Sequence, residues 1–297
     1  MTTNKRYRLG CDIGGTFTDF VLLDDETGEL RTHKCLTTPG DPSDAVEQGI
    51  RGLQVGVPEF LGQAAEVIHG TTLVINAIIE RKGANTGLIT TAGFRDVLEL
   101  GREIRYAPYD IFAEFPRPLV PRRLRREVDE RVRADGAVLR PLDEAGARQV
   151  IRELVAEGVQ SVAICLLNSY ADRRHERLVQ QIARELGFDD ISTSSDVAPL
   201  IKIVSRGDTT VVDAYLNPVL RDYVNGLRGT LNQSGRSELR ILTSAGGLVD
   251  ADQFVGKDSI LSGPAGGVEG FSHAARAAGF ARAIGFDMGG TSTDVSR

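Results

Sequence analysis

The stretch Asp12-Ile13-Gly14-Gly15-Thr16-Phe17-Thr18-Asp19 recurs 275 residues later as Asp287-Met288-Gly289-Gly290-Thr291-Ser292-Thr293-Asp294. Six of the eight positions are identical, and each copy follows an apolar strand and enters another. Two adjacent glycines let backbone N–H groups face a phosphate with no Cβ in the way. The threonine hydroxyl adds a donor to a phosphate oxygen. The leading aspartate falls at the carboxyl end of a strand, where a carboxylate can hold Mg2+ through water or orient a nucleophile. One copy alone reads as an ordinary glycine hairpin. Two facing copies would grip a polyphosphate from both sides.

Outward from this repeat, the first forty residues read as a β-meander. Leu9, Cys11 and Ile13 alternate with polar neighbours, residues 17–23 form the return strand, and residues 30–36 form a third. A helix follows, capped by Ser43 or Asp44, with Val46, Ile50 and Leu53 on one face. A second helix runs from about Thr72 to a stop at Gly83, and residues 87–90 form a short strand. Residues 105–140 carry four prolines and the basic run 122–126, and read as an extended insertion with a solvated or partner-facing strand. Regular α/β pattern resumes with a helix capped by Asp143, an apolar strand at 162–167 and an amphipathic helix from His175. Asp208 is expected to start a long helix interrupted at Pro218. A strand at 239–243 and a small-residue helix through Ala278 lead to the second copy.

Composition narrows the function. The chain has 297 residues, 35 Lys+Arg against 41 Asp+Glu and a net charge of −6, which argues against a general nucleic-acid binder. A small anion is still admissible, because backbone amides can hold one. No apolar run follows the first charges and no stretch has 18 apolar residues, so neither a secretory signal nor a membrane span is expected. Cys11, Cys35 and Cys165 are scattered, with no C-x-x-C pair, and read as reduced thiols of a cytoplasmic protein. G-x-x-x-x-G-K-[ST], G-x-G-x-x-G and H-E-x-x-H are absent, which disfavours P-loop, dinucleotide and zincin sites.

The duplicated D-x-G-G-T resembles the two phosphate motifs of the actin-like ATPase (ribonuclease H-like) fold, an α/β architecture. Residues 262–278 resemble that fold's connecting helix. More closely, the chain resembles the hydantoinase A family, which holds ATP-dependent 5-oxoprolinases, N-methylhydantoinase subunits and acetone carboxylase β subunits. The resemblance rests on His69-Gly70-Thr71-Thr72 through Asn76 and Glu80-Arg81, on 90–101 with Arg102, and on Pro121-Arg122-Arg123 through Glu130-Arg131. It continues in 166–170 with His175-Glu176, in 262–267 and in 287–295. It implies a first domain over residues 1–280, with the insertion near 105–140 and the connecting helix at 265–278. A second domain would begin at 281–297. Relatives continue past the second motif, so the chain is expected to be a fragment with little activity of its own.

The resemblance further implies ATP, Mg2+ and phosphoryl transfer to a cyclic amide (a lactam, a hydantoin or 5-oxoproline), with a hydantoinase B-type subunit as partner and residues 122–126 as a docking edge. Asp12 and Asp287 would organise metal and phosphate. Gly14, Gly15, Thr16, Thr18, Gly289, Gly290, Thr291 and Ser292 would form the phosphate cradle. Asp19 and Asp294 would more simply pin their own hairpins. His69, Thr71 and Thr72 fall after a strand and at a helix start, a natural anion site. His69 itself reads first as a hydrogen-bonded structural residue, as does His175. Alternatives are a ketone carboxylase subunit, a small-molecule kinase and a non-enzymatic ATPase scaffold. The cysteine clusters of glucokinase-like kinases and of iron–sulfur activators are lacking.

Overall fold

The computed structural model describes residues 6–38, 40, 42–58, 60–102, 107–232, 238–289 and 293–297. Alternation builds the first strands. Leu9, Cys11 and Ile13 of β1 (Tyr7–Ile13) are buried, as are Thr18, Phe20, Leu22 and Asp24 of β2 (Phe17–Asp24). Asp24 ends β2 by accepting from the Glu26 amide at 3.0 Å and from Arg6 Nε at 2.9 Å. That arginine holds the Asp24 carboxyl well below the usual carboxylate range. Gly28, at φ +73°, closes the turn into β3 (Leu30–Leu36).

Helix α1 (Pro42–Gln54) packs on β2 and β3. Glycines permit the approach: a Cβ on Gly49 would lie 2.0 Å from the Phe20 ring, and one on Gly52 would lie 2.3 Å from His33 Nε2. Strand β4 (Ala64–Thr71) then runs parallel to β1 and leads into α2 (Leu73–Ile79). Arg81, at φ +57°, breaks the helical path before the expected stop at Gly83.

Next come β5 (Thr86–Thr91), α3 (Val97–Leu100), β6 (Arg125–Val128), β7 (Arg131–Val132) and β8 (Val138–Arg140). They are followed by α4 (Glu144–Ala156), β9 (Ser161–Cys165), α5 (Arg174–Glu185), β10 (Asp190–Thr193), α6 (Ser194–Val197) and α7 (Ile203–Asn232). Asp143 caps α4 as expected, its carboxylate accepting from the Gly146 amide at 3.1 Å. The chain closes with β11 (Glu238–Leu242), β12 (Leu248–Asp250), α8 (Gly256–Ser259), α9 (Ser262–Ala277), β13 (Gly285–Met288) and β14 (Thr293–Ser296).

The chain divides into two compact units, Met1–Lys82 with Leu220–Arg297, and Gly83–Val219. The first holds a six-stranded mixed sheet in the order β12-β11-β4-β1-β2-β3, with β13 and β14 as a separate hairpin. Helix α9 packs on β4, β11 and β13.

The second unit holds an all-parallel sheet in the order β10-β9-β5-β6, covered by α4 and α5 around a core that includes Ile89, Leu124, Ile151, Leu154 and Ile164. Buried charges gather at the carboxyl ends of these strands. Ser194 Oγ donates to Glu176 Oε1 at 2.6 Å and accepts from Arg206 Nε at 3.0 Å. Glu176 also takes the Leu166 amide at 2.9 Å, and Arg206 reaches the Leu166 carbonyl at 2.7 Å. His175 Nδ1 lies 2.8 Å from Glu130, whose other oxygen takes the Thr91 hydroxyl. His175 is thus structural, as its place in the sequence suggests.

Three expectations are corrected. Residues 105–140 are not wholly an insertion, because β6 pairs with β5 and buries Arg125 and Val128. Helix α7 starts at Ile203 rather than Asp208, with the buried Arg206 donating to the carbonyl of Leu200 at 2.5 Å. It also continues through Pro218, since the burial of Leu216 and Leu220 on either side outweighs one lost backbone bond. Among the described residues no helix is long and apolar enough to cross a membrane.

Candidate functional site

The first motif copy is the β1–β2 hairpin. Asp12 stands opposite Asp19 in the register, with Cys11 and Ile13 turned into the core and Asp12 open to solvent. The Gly14 amide donates to the Phe17 carbonyl at 2.9 Å and closes the loop. Its carbonyl accepts from the Thr37 hydroxyl at 2.8 Å, and the Thr16 carbonyl accepts from the Thr37 amide at 2.9 Å. Thr37 on the neighbouring segment therefore fixes the loop from behind. Gly15 and Thr16 are exposed, and among the described residues nothing accepts from their amides. A glycine loop with unspent amides fits an anion.

Thr18 leaves the expected cradle. Its side chain is fully buried, and its hydroxyl meets that of Thr37 at 3.0 Å. Strand alternation sends it to the face opposite Asp19. Asp19 pairs with Lys34 across the β2–β3 ladder at 2.8 Å, so a side-chain ion pair pins it rather than backbone bonds.

Asp12 is the chemically unusual carboxylate. Although Asp12 reaches solvent, the chain packed around its carboxyl takes away part of its water and holds its pKa above the ordinary value. The charges of Asp19 and Asp287 push the same way, and Lys34 opposes them. A Cβ on Gly70 would lie 2.9 Å from Asp12 Oδ1, so a larger residue there would push the carboxylate aside.

The second copy repeats the register, with Asp287 opposite Asp294 across β13 and β14. Gly289 is exposed at the end of β13. Gly290, Thr291 and Ser292 lie outside the described residues. The charge of Asp287 acts on Asp12, and both belong to the first unit.

His69, Thr71 and Thr72 do not form the open anion site that their position suggests. His69 is buried, its Nδ1 3.1 Å from the Cys11 carbonyl and its Nε2 against the Tyr223 hydroxyl. Burial lowers its pKa to about 4, so the ring is neutral at pH 7. Thr71 Oγ1 takes the Leu73 amide at 3.0 Å, and Thr72 Oγ1 donates to the Ile13 carbonyl at 3.2 Å. Sequence reasoning missed Thr37, Gly70 and Tyr223 as parts of the site; only Gly70 carried a signal, as a member of the singled-out tetrapeptide.

Among the described residues no group of three or more His, Cys, Asp or Glu could hold a metal ion. The donors present fit a cation that brings phosphate oxygens with it and needs only a carboxylate from the chain. The end of β1 thus sets an exposed aspartate beside loop amides from which no group among the described residues accepts.

The chain belongs to the hydantoinase/oxoprolinase family. The model of the family's N-terminal region matches residues 8–187, and the hydantoinase/oxoprolinase model matches residues 206–297. It is 36% identical to 5-oxoprolinase of Saccharomyces cerevisiae over 98% of its own length, which is 26% of that protein. It is similar to the solved ATP-dependent caprolactamase of Pseudomonas jessenii, with a TM-score of 0.87 and 34% identity over 97% of this chain and 43% of that one. A nucleotide-free acetone carboxylase structure gives the same TM-score at 29% identity, over 98% of this chain and 44% of that one. The chain thus spans from about a quarter to under half of these relatives, and its α/β fold is theirs over that length.

Proposed function

We propose that this chain is the part of an ATP-dependent cyclic-amide hydrolase that carries both copies of the phosphate motif. The observation that carries this reading is the β1–β2 hairpin, with Asp12 open above Gly70 and the amides of Gly15 and Thr16 unspent. In it the loop amides hold a phosphate of ATP, and Gly14 keeps the loop closed through its bond to Phe17. Asp12 and Asp287 organise the Mg2+ that accompanies the phosphates, and Gly289, Gly290, Thr291 and Ser292 supply the second side of the cradle. ATP would supply the phosphoryl group that activates the amide oxygen. Water adding to the imidate carbon would let the C–N bond break with the nitrogen leaving as the amine, and a second water would release phosphate from the acyl phosphate so formed. Positioning and charge neutralisation are the protein's contribution. A hydantoinase B-type subunit completes the enzyme, which works in the cytoplasm.

A second reading has its own support. The acetone carboxylase structure matches as well as the caprolactamase by TM-score, which favours activation of a ketone or bicarbonate as the alternative. Phosphate release by the full-length protein with its partner, measured against 5-oxoproline, hydantoin and caprolactam, separates the two. Lactam-stimulated release with recovery of the ring-opened amino acid is expected. Stimulation by acetone or acetophenone with bicarbonate, and by no lactam, would assign the carboxylase instead. A phosphorylated product without phosphate release would assign a kinase.

A further inference from the structure

We propose that residues 69–72, together with Tyr223, are a positioning device that fixes Asp12 in the orientation in which it meets a phosphate-bound cation. This rests on the reading of Asp12 given above. Three consecutive residues of β1 are held by four consecutive residues from the end of β4. The parallel register sets Cys11 beside His69, Asp12 beside Gly70 and Ile13 beside Thr71. The Cys11 carbonyl can only accept, so His69 Nδ1 carries the ring proton and donates to it at 3.1 Å. Nε2 is then the acceptor, and the buried Tyr223 hydroxyl donates to it. Two residues on, the Ile13 carbonyl takes both the Thr72 amide at 3.0 Å and the Thr72 hydroxyl at 3.2 Å.

The carbonyls on both sides of Asp12 are thereby tied down, and Gly70 between the ties leaves the carboxylate room. The tetrapeptide is itself anchored from behind, because Ser262 Oγ at the start of α9 donates to the Thr71 carbonyl at 2.9 Å. Every polar side chain of the tetrapeptide is spent on this scaffold. None faces solvent as an acid or base, so His69 and Tyr223 act through Asp12. Outer groups of this kind govern how well a ligating carboxylate is presented.

The test is Mn2+ affinity, read by electron paramagnetic resonance on the full-length protein with a non-hydrolysable ATP analogue. It is paired with lactam-dependent phosphate release over a range of Mg2+. Tyr223→Phe removes the hydroxyl that fixes His69. Gly70→Ala crowds the Asp12 carboxylate without entering the core. Each should weaken Mn2+ binding roughly 10-fold and lower kcat, with KM for the lactam unchanged. If Tyr223→Phe does not fold, Gly70→Ala decides. Folded variants with unchanged Mn2+ affinity would overturn the positioning role, provided Asp12→Asn loses that affinity. Retention of affinity by Asp12→Asn as well would overturn the reading of Asp12 and the device together.

Discussion

His69 shows how burial decides what a titratable residue can do. Its pKa is about 4 in the fold and about 6.5 when unfolded, with desolvation as the first cause. Between those values the unfolded chain takes up a proton that the native chain does not. Stability therefore falls as pH drops from 6.5 to 4 and levels off below, a loss of roughly 3 kcal/mol from this one group. Urea midpoints at pH 7 and pH 5 should differ more for the native sequence than for His69→Gln. Equal differences would mean that His69 is not held neutral. The candidate residues Asp12, Gly14 and Gly15 stand out in the sequence because the motif is local and repeated. Their supports do not, since His69 meets partners 58 and 154 positions away, and no local pattern records such a contact.

At the scale of elements, the basic run 122–126 passes from a short helical turn into the edge strand β6, and its arginines are ion-paired. Arg122 pairs with Asp96, Arg123 with Glu157, Arg125 with Glu99 and Arg126 with Glu153. Arg125 is 3% exposed and Arg123 61%, and that difference sets the expectation. Arg125→Glu should cost about 3 kcal/mol, because it leaves a buried charge unpaired. Arg123→Glu should cost under about 1 kcal/mol, as exposed pairs do. Denaturant unfolding of both variants checks this, and equal losses would contradict it. Alternation made β1, β2 and β3 readable, periodicity made α1 readable, and its cap made α4 readable. Ser43 and Asp44, expected to cap α1, lie inside a helix that starts at Pro42. β6 was hidden because an edge strand tolerates charge that a central strand would not. The continuity of α7 through Pro218 was hidden because packing overrode a local breaker.

For the whole molecule, a net charge of −6 means that an anionic nucleotide is not drawn in by overall charge. On the proposed reading, binding would rest on local amides and on a cation that neutralises phosphate, which puts the weight of the test on Asp12. Strand β2 and the ties from β4 flank the end of β1 where Asp12 stands. The most direct test is steady-state, lactam-dependent phosphate release by Asp12→Asn in the full-length protein with its partner, with circular dichroism to confirm the fold. Asparagine keeps the size and loses the charge. Turnover should drop at least about 100-fold, or roughly 2.7 kcal/mol of barrier. A folded Asp12→Asn protein with near-normal turnover would show that the repeated hairpin is structural and that phosphate is handled elsewhere.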